Sequence, residues 1–294
     1  MPQHRTEKRS MKDGPMIDRS GMFLGILRLL PEPMRRLYRA LVPLKLRQLV
    51  RDAYPYEQEM IRVIRFWANP YERRRNKAEL PYCQTPEDYF SFATKHLGHQ
   101  QWKQEIIGFL EFAKKQEPVR ICELGIFLGG TNLMLTHALP TAQLIIGVDV
   151  HVRNKSKLRY FARPSHEQVF ITGRTCDPAT LDRVTQALGG KKLDLLFIDA
   201  DHSYSGVKQD FLHYRHFVRD GGIITFHDIV QDHLTKFKRD PNTWESAQSG
   251  EVYLFWRRLK PYYETREFVI DYEQDGCGIG ALIYSPEVAI PEDL

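Results

Sequence analysis

The chain has 294 residues, 42% hydrophobic and 27% charged, with a formal net charge of +5 at pH 7. These values exclude wholesale disorder and favour one sizeable core with an appended segment over two equal domains. Four cysteines, Cys83, Cys122, Cys176 and Cys277, form no CxxC pair, which argues against a zinc site or disulfide framework and for a reducing, cytoplasmic setting.

Residues 1–20 are polar and basic, contain Gly14 and Pro15, and read as a flexible tail. A helical basic extension is expected over 21–84. Leu37, Leu41 and Leu44 fall at helical spacing, and Leu46, Leu49 and Val50 continue after Pro43, so two short amphipathic helices broken by proline are expected. Their polar faces carry Arg35, Arg36, Arg39, Lys45, Arg47 and Arg51. That composition suits peripheral contact of residues 21–51 with the anionic inner face of a membrane. An arm packing on its own domain, or on a partner subunit of a homo-oligomer, accounts for the same pattern and is the simpler reading. A membrane span needs roughly 20 apolar residues, whereas the run from Met22 to Leu30 is interrupted by Arg28 and stopped by Pro31. It does not read as a signal peptide either. The lone basic triplet Arg73 to Arg75 fits a solvated face, and no nucleic-acid partner is expected.

The segment 85–294 has the grammar of an α/β domain. Thr85, Pro86 and Asp88 form a capping-box start to a helix running towards Leu97. A second helix carries Trp102, Ile106, Phe109 and Leu110 on one face and ends before Pro118. Strand-like runs follow at Val119 to Glu123, Leu144 to Val150, Gln168 to Thr172, Leu193 to Asp199 and Gly222 to His227. Helical stretches separate them after Gly130, Pro178 and Ser205. This alternation predicts a doubly wound parallel sheet with helices on both faces. Two last strands, Arg266 to Tyr272 and Gly278 to Tyr284, joined by the turn-rich Glu273 to Cys277, predict an antiparallel hairpin at one sheet edge.

Five strand ends carry polar groups. The first leads into Glu123-Leu124-Gly125-Ile126-Phe127-Leu128-Gly129-Gly130-Thr131. A glycine turn between strand and helix lets backbone approach a ligand, while the absence of G-x-G-x-x-G weakens a dinucleotide reading. Glu123 could hold a cationic amino-acid group; a purely structural turn is the alternative. Asp149, at the next strand end, could accept hydrogen bonds from two ribose hydroxyls, or simply cap a helix. The turn Gly173-Arg174-Thr175-Cys176-Asp177 could border an adenine, unless Asp177 only caps the helix after Pro178. The strongest signal is Ile198-Asp199-Ala200-Asp201-His202-Ser203-Tyr204, followed one strand later by Phe226-His227-Asp228. Buried strands delivering acids and imidazoles to the ligand-binding edge require compensation, and Asp199 and Asp228 would face one another as oxygen ligands of Mg²⁺ must. His213 and His216 read as surface residues.

The run from about Thr85 to Tyr284 resembles the class I S-adenosylmethionine-dependent methyltransferases. Within them it is similar to the branch labelled cephalosporin hydroxylase-like, to metal-dependent macrolide-sugar O-methyltransferases and, more distantly, to catechol O-methyltransferase. The matching motifs are E-L-G-x-x-x-G-G-T at Glu123 to Thr131, I-D-A-D-H-S-Y at Ile198 to Tyr204, G-G-I-I-x-F-H-D at Gly221 to Asp228 and G-I-G-A-L-I-Y at Gly278 to Tyr284. The resemblance implies a Rossmann-like seven-stranded sheet with an antiparallel last pair. It implies that Glu123, Gly125, Gly129, Gly130 and Thr131 surround the methionine part of the cofactor, that Asp149 holds the ribose, and that Thr175, Cys176 and Asp177 border the adenine. Asp199 would adjoin the cofactor and, with Asp228, ligate Mg²⁺ or Mn²⁺; His202 would be the base. His227 departs from sugar-methylating relatives, which carry an acid there. Imidazole is a poor magnesium ligand, so His227 is a third ligand to a softer metal, or supports the ligands from behind, or leaves water to complete the shell.

The expectation is metal-assisted O-methylation of a small-molecule or glycan acceptor, a sugar or another polyhydroxylated metabolite. A catechol-like phenol is the alternative acceptor. Readings of a different class are a metal-dependent hydroxylase, for which His202 would have to join His227 and a carboxylate, and a cofactor-binding module without activity. Acceptor specificity is expected from the N-terminal segment and the loop between Val230 and Gly250.

Overall fold

The computed structural model describes residues 66–237, 249–291 and 294. The expected tail and the amphipathic arm at 21–51 lie outside the described residues. The apolar runs become seven strands: β1 (Arg120–Leu124), β2 (Leu144–Asp149), β3 (Glu167–Thr172), β4 (Leu193–Ile198), β5 (Val218–His227), β6 (Glu264–Phe268) and β7 (Ile279–Ile283). They form one sheet in the order β3-β2-β1-β4-β5-β7-β6. Pairing is parallel from β3 through β5, and β7 runs antiparallel to both β5 and β6. The doubly wound sheet and its antiparallel last pair are therefore as expected.

Alternate side chains of each strand enter two cores, because successive residues of a strand point to opposite faces. Leu195 and Phe197 of β4 join Ile106, Phe109 and Leu133 on one face. Leu196 and Ile198 join Val184, Phe211, Phe255 and Trp256 on the other. After α1 (Pro70–Glu79), the first face is covered by α2 (Pro86–His96), α3 (Lys103–Lys114), α4 (Gly130–Ala138) and α5 (Lys155–Phe161). The second is covered by α6 (Pro178–Leu188), α7 (Tyr204–Tyr214) and, beyond the short α8 (His233–Phe237), α9 (Val252–Leu259). No helix of the described residues is long and apolar enough to cross a membrane.

The capping box forms as the sequence predicts. Asp88 N donates to Thr85 Oγ1 at 3.2 Å and Thr85 N donates to Asp88 Oδ2 at 2.9 Å, satisfying two donors that a helix start otherwise leaves open.

Several expectations need correction. The compact unit begins at Phe66, so the stretch 66–84, grouped above with the extension, packs on the α/β unit. Phe66 meets Tyr160 and Phe161 edge-on with ring centroids 5.5 and 6.1 Å apart, and Glu79 pairs with Lys95 at 2.8 Å. Trp102 does not share the apolar face of α3 but precedes it as N-cap, 39% exposed. Strand β6 stops at Phe268 because its partner begins at Ile279, opposite Phe268, which leaves Val269 to Tyr272 with no ladder to join. Helices α5 and α9 were not anticipated; α9 buries Val252, Phe255, Trp256 and Leu259 along one side.

Candidate active site

The C-terminal ends of the parallel strands bring the predicted residues to one edge of the sheet. Gly125, directly after β1, has φ +84°, and a Cβ there would lie 1.8 Å from the carbonyl oxygen of Asp199. Only glycine lets the turn lie flat against the end of β4. Asp149, ending β2, clamps this turn from the other side: its Oδ2 accepts from Ile126 N at 2.8 Å and Phe127 N at 2.9 Å, and its Oδ1 accepts from His151 N at 2.7 Å. Each carboxylate oxygen accepts several bonds, so acceptor capacity remains towards the cavity that Asp149 borders.

That cavity, about 370 Å³, is lined by Gly125, Asp149, Thr175, Cys176, His202 and Asp210 among others. Of the cofactor residues expected from the sequence, four are therefore in its wall. Glu123, Gly129, Gly130, Thr131, Asp177 and Asp199 are not. Gly130 has a different duty: its N–H donates to Gly98 O at 3.0 Å, and a Cβ would approach that oxygen to 2.4 Å. It seats the α2–α3 connection on the start of α4, while Gly129 shapes the turn before it and Thr131 is buried in the first turn of α4. Asp177 precedes α6 as N-cap, but its side chain makes no capping bond.

Glu123 is buried, with Oε2 accepting from Asn132 Nδ2 at 2.7 Å and Oε1 lacking a partner. Burial, reinforced by Asp199 and Asp149, pushes its pKa well above the carboxylate range despite the Asn132 bond. A cationic group brought beside it would restore the ionised form.

The second cluster adjoins the cavity through His202, which belongs to both. His202 Nε2 lies 3.4 Å from Asp199 Oδ1 and its Nδ1 3.4 Å from Asp228 Oδ2. His227 Nδ1 lies 3.2 Å from Asp199 Oδ1 and 3.4 Å from Asp228 Oδ2. Ligand atoms of Asp199, His202 and Asp228 all fall within 4.8 Å of one another, as do those of His227, Asp228 and Cys277. Burial alone would lower the pKa of His227, but the carboxylates of Asp228 and Asp199 hold it well above 6.5. Burial would raise Asp228; His227, His202 and the Ser249 hydroxyl instead depress it. The charges of His227, Asp199 and Asp228 thus compensate one another, as buried charges must.

Several members of this cluster escaped the sequence reading. Gln101 Nε2 donates to Asp199 Oδ2 at 3.2 Å. Ser249 Oγ and Cys277 N donate to Asp228 Oδ1 at 2.8 and 3.2 Å. Asp228 itself has φ +65°, a strained setting of the kind that collects at functional sites. The donor set fits a divalent cation: two carboxylates at neighbouring strand ends, oriented from behind by an amide and a hydroxyl, with imidazoles alongside.

Residues 122–229 match the sequence model of a family described as "Methyltransferase domain". This stretch of the chain is similar to that family. The match takes in the glycine turn, Asp149 and both strand ends of the acidic cluster. Among solved structures, the chain is similar to MycE methyltransferase of the mycinamycin biosynthetic pathway, in complex with Mg, SAH and mycinamycin VI. Identity is 17%, over 71% of this chain and 57% of that one, at a TM-score of 0.47. The chain thus spans little more than half of that protein. It is also similar to the O-methyltransferase TomG of Streptomyces achromogenes, with 18% identity over 69% of this chain and 91% of that one at a TM-score of 0.47. A caffeoyl-CoA O-methyltransferase-like protein of Staphylococcus aureus shares 16% identity over 68% of this chain and 93% of that one, at a TM-score of 0.48. No curated protein matches the chain in sequence.

Proposed function

We propose that the domain transfers a methyl group from S-adenosylmethionine to a hydroxyl oxygen, with a divalent metal ion held by Asp199 and Asp228. The observation that carries this reading is the place of His202: it lines the cofactor-sized cavity and lies 3.4 Å from both carboxylates. A proton acceptor is thus shared between the cavity and the ion site.

In this reading Glu123, relayed by Asn132, meets the ammonium of the methionine moiety, and Asp149 accepts from the ribose. S-adenosylmethionine supplies an electrophilic methyl, whose C–S bond breaks as the O–C bond forms. A cation on the two carboxylates would lower the pKa of an acceptor hydroxyl and orient it. His202, half-exposed at the cavity, takes the hydroxyl proton and passes it to solvent. Gln101 and Ser249 fix the rotamers of Asp199 and Asp228. The acceptor that suits two adjacent oxygen ligands is a sugar or another polyhydroxylated molecule, since a vicinal diol can chelate. A catechol-like phenol satisfies the same geometry.

The hydroxylase alternative gains from one observation: His202 and His227 both face the carboxylate pair, which provides the two imidazoles and one carboxylate of non-haem iron sites. It leaves the cavity beside Asp149 without a purpose. Incubation of the full chain with methyl-labelled S-adenosylmethionine and a panel of sugars, phenols and glycolipids, with Mg²⁺ or Mn²⁺ and with excess chelator, distinguishes the two. Label transferred to oxygen only when metal is present supports methyl transfer. A hydroxylated product without label overturns it.

A further inference from the structure

Asp210, on the cavity-facing side of α7, has no part in the function described so far. It is 1% exposed and yet lines the cavity. Its carboxyl is hydrogen-bonded to the Thr175 side chain and the Asp201 backbone, and Oδ2 has no partner. A buried acceptor left open weakens the fold unless a donor reaches it. The cost shows in its acidity: burial, with Asp201 adding to it, pushes Asp210 up to about 6.

Resting on the methyltransferase reading, a count of donors narrows what that partner is. S-adenosylmethionine carries three donor groups: the ammonium, the ribose hydroxyls and the exocyclic amine of adenine. The ammonium falls to Glu123 and the hydroxyls to Asp149. Thr175, which ties Asp210 to the turn after β3, stands in the cavity wall beside Cys176 and Gln209. We infer that the Asp210 carboxylate reads the purine, accepting the 6-amino group of adenine through Oδ2 and rejecting a 6-oxo purine.

The rejection has a physical basis. A 6-oxo purine would place a carbonyl oxygen against a carboxylate oxygen, so that two acceptors meet with no proton between them. Arg174 also lines the cavity, but the groups it faces are Cys176, Asp177 and Asp201, so it does not satisfy Asp210 in place of the ligand.

The test is calorimetric binding of S-adenosylhomocysteine and of its 6-oxo counterpart, S-inosylhomocysteine, to the full chain at pH 7.5. Wild-type protein should prefer the 6-amino ligand by at least about 30-fold, within the range of a hydrogen bond to a charged group. Asp210→Asn, whose amide can donate to a 6-oxo group, should bring the two affinities within about 3-fold or reverse their order, by the same reasoning. Wild-type protein that binds both ligands equally overturns the inference and leaves the methyltransferase reading standing. A folded Asp210→Asn variant that keeps the wild-type ratio also overturns it. If the variant fails to fold, the wild-type ratio alone decides. Wild-type protein that binds neither ligand overturns the methyltransferase reading, and this inference falls with it.

Discussion

A Cβ on Gly125 would lie 1.8 Å from the carbonyl oxygen of Asp199, which couples the glycine turn directly to the strand end that carries the first acid of the proposed ion site. Asp199 N in turn donates to Leu124 O at 2.8 Å, so the two strand ends are fastened immediately before the chains diverge. Gly125→Ala must therefore strain φ and displace Asp199 together. The expected cost is about 2 to 5 kcal/mol, combining the left-handed backbone penalty with overpacking. Urea denaturation of the two proteins measures it. A variant of unchanged stability and activity would show that the turn and β4 move independently.

His202 is half-exposed, and its side chain faces two carboxylates. Its removal should therefore leave the core alone. His202→Ala is expected to bind S-adenosylhomocysteine with near-normal affinity and to lose about 10² to 10⁴ in turnover, the usual worth of general acid–base catalysis. Thermal melting separates this from a stability effect. A folded variant with near-normal turnover removes His202 from the chemistry.

The proposed ion site predicts a pattern of failures. Excess chelator should silence wild-type protein, and added Mg²⁺ or Mn²⁺ should restore it. Asp199→Ala should abolish both the activity and the metal-induced rise in melting temperature, because one of the two carboxylates is gone. Ser249→Ala should weaken metal binding by roughly 10-fold, as loss of a group orienting a ligand does, through release of Asp228 Oδ1. Full activity in chelator would place the chemistry elsewhere.

What the sequence revealed of this site followed from strand grammar. Glu123, Asp149, Asp199 and Asp228 stand at or just after the ends of apolar runs, and parallel pairing sends all such ends to one edge of the sheet. Gln101 meets Asp199 from 98 positions away, out of a connection with no pattern of its own. Ser249 and Cys277 reach Asp228 from loops, where spacing carries no signal. Asp210 was hidden for another reason: an acid in an amphipathic helix reads as a solvated charge, and only the packing of α7 over the turn after β3 buries it. Gly130 misled in the opposite way, since a motif glycine beside a ligand turn and one that admits the Gly98 carbonyl look alike in sequence.

His137 supplies a pH dependence with a definite sign. It is buried in α4, with Nε2 3.0 Å from Phe161 O and its ring beside Tyr89. Burial, with the nearby Arg163 and His166 charges, lowers its pKa from 6.5 to about 4. The unfolded chain therefore binds a proton between those values that the folded chain refuses. The corresponding stability is fully present above pH 6.5 and is lost as pH falls towards 4. The linkage amounts to about 2 kcal/mol by pH 5 and about 3 kcal/mol in all. Asp210, pushed up to about 6, works in the opposite direction and His166, lowered to about 4, in the same one, so the whole-protein curve mixes several groups. Comparison with His137→Gln isolates the histidine. Urea midpoints at pH 7.5 and pH 5 should show the wild type losing more than the variant by about 2 kcal/mol. Equal losses would mean that His137 protonates in the folded state as readily as in the unfolded chain.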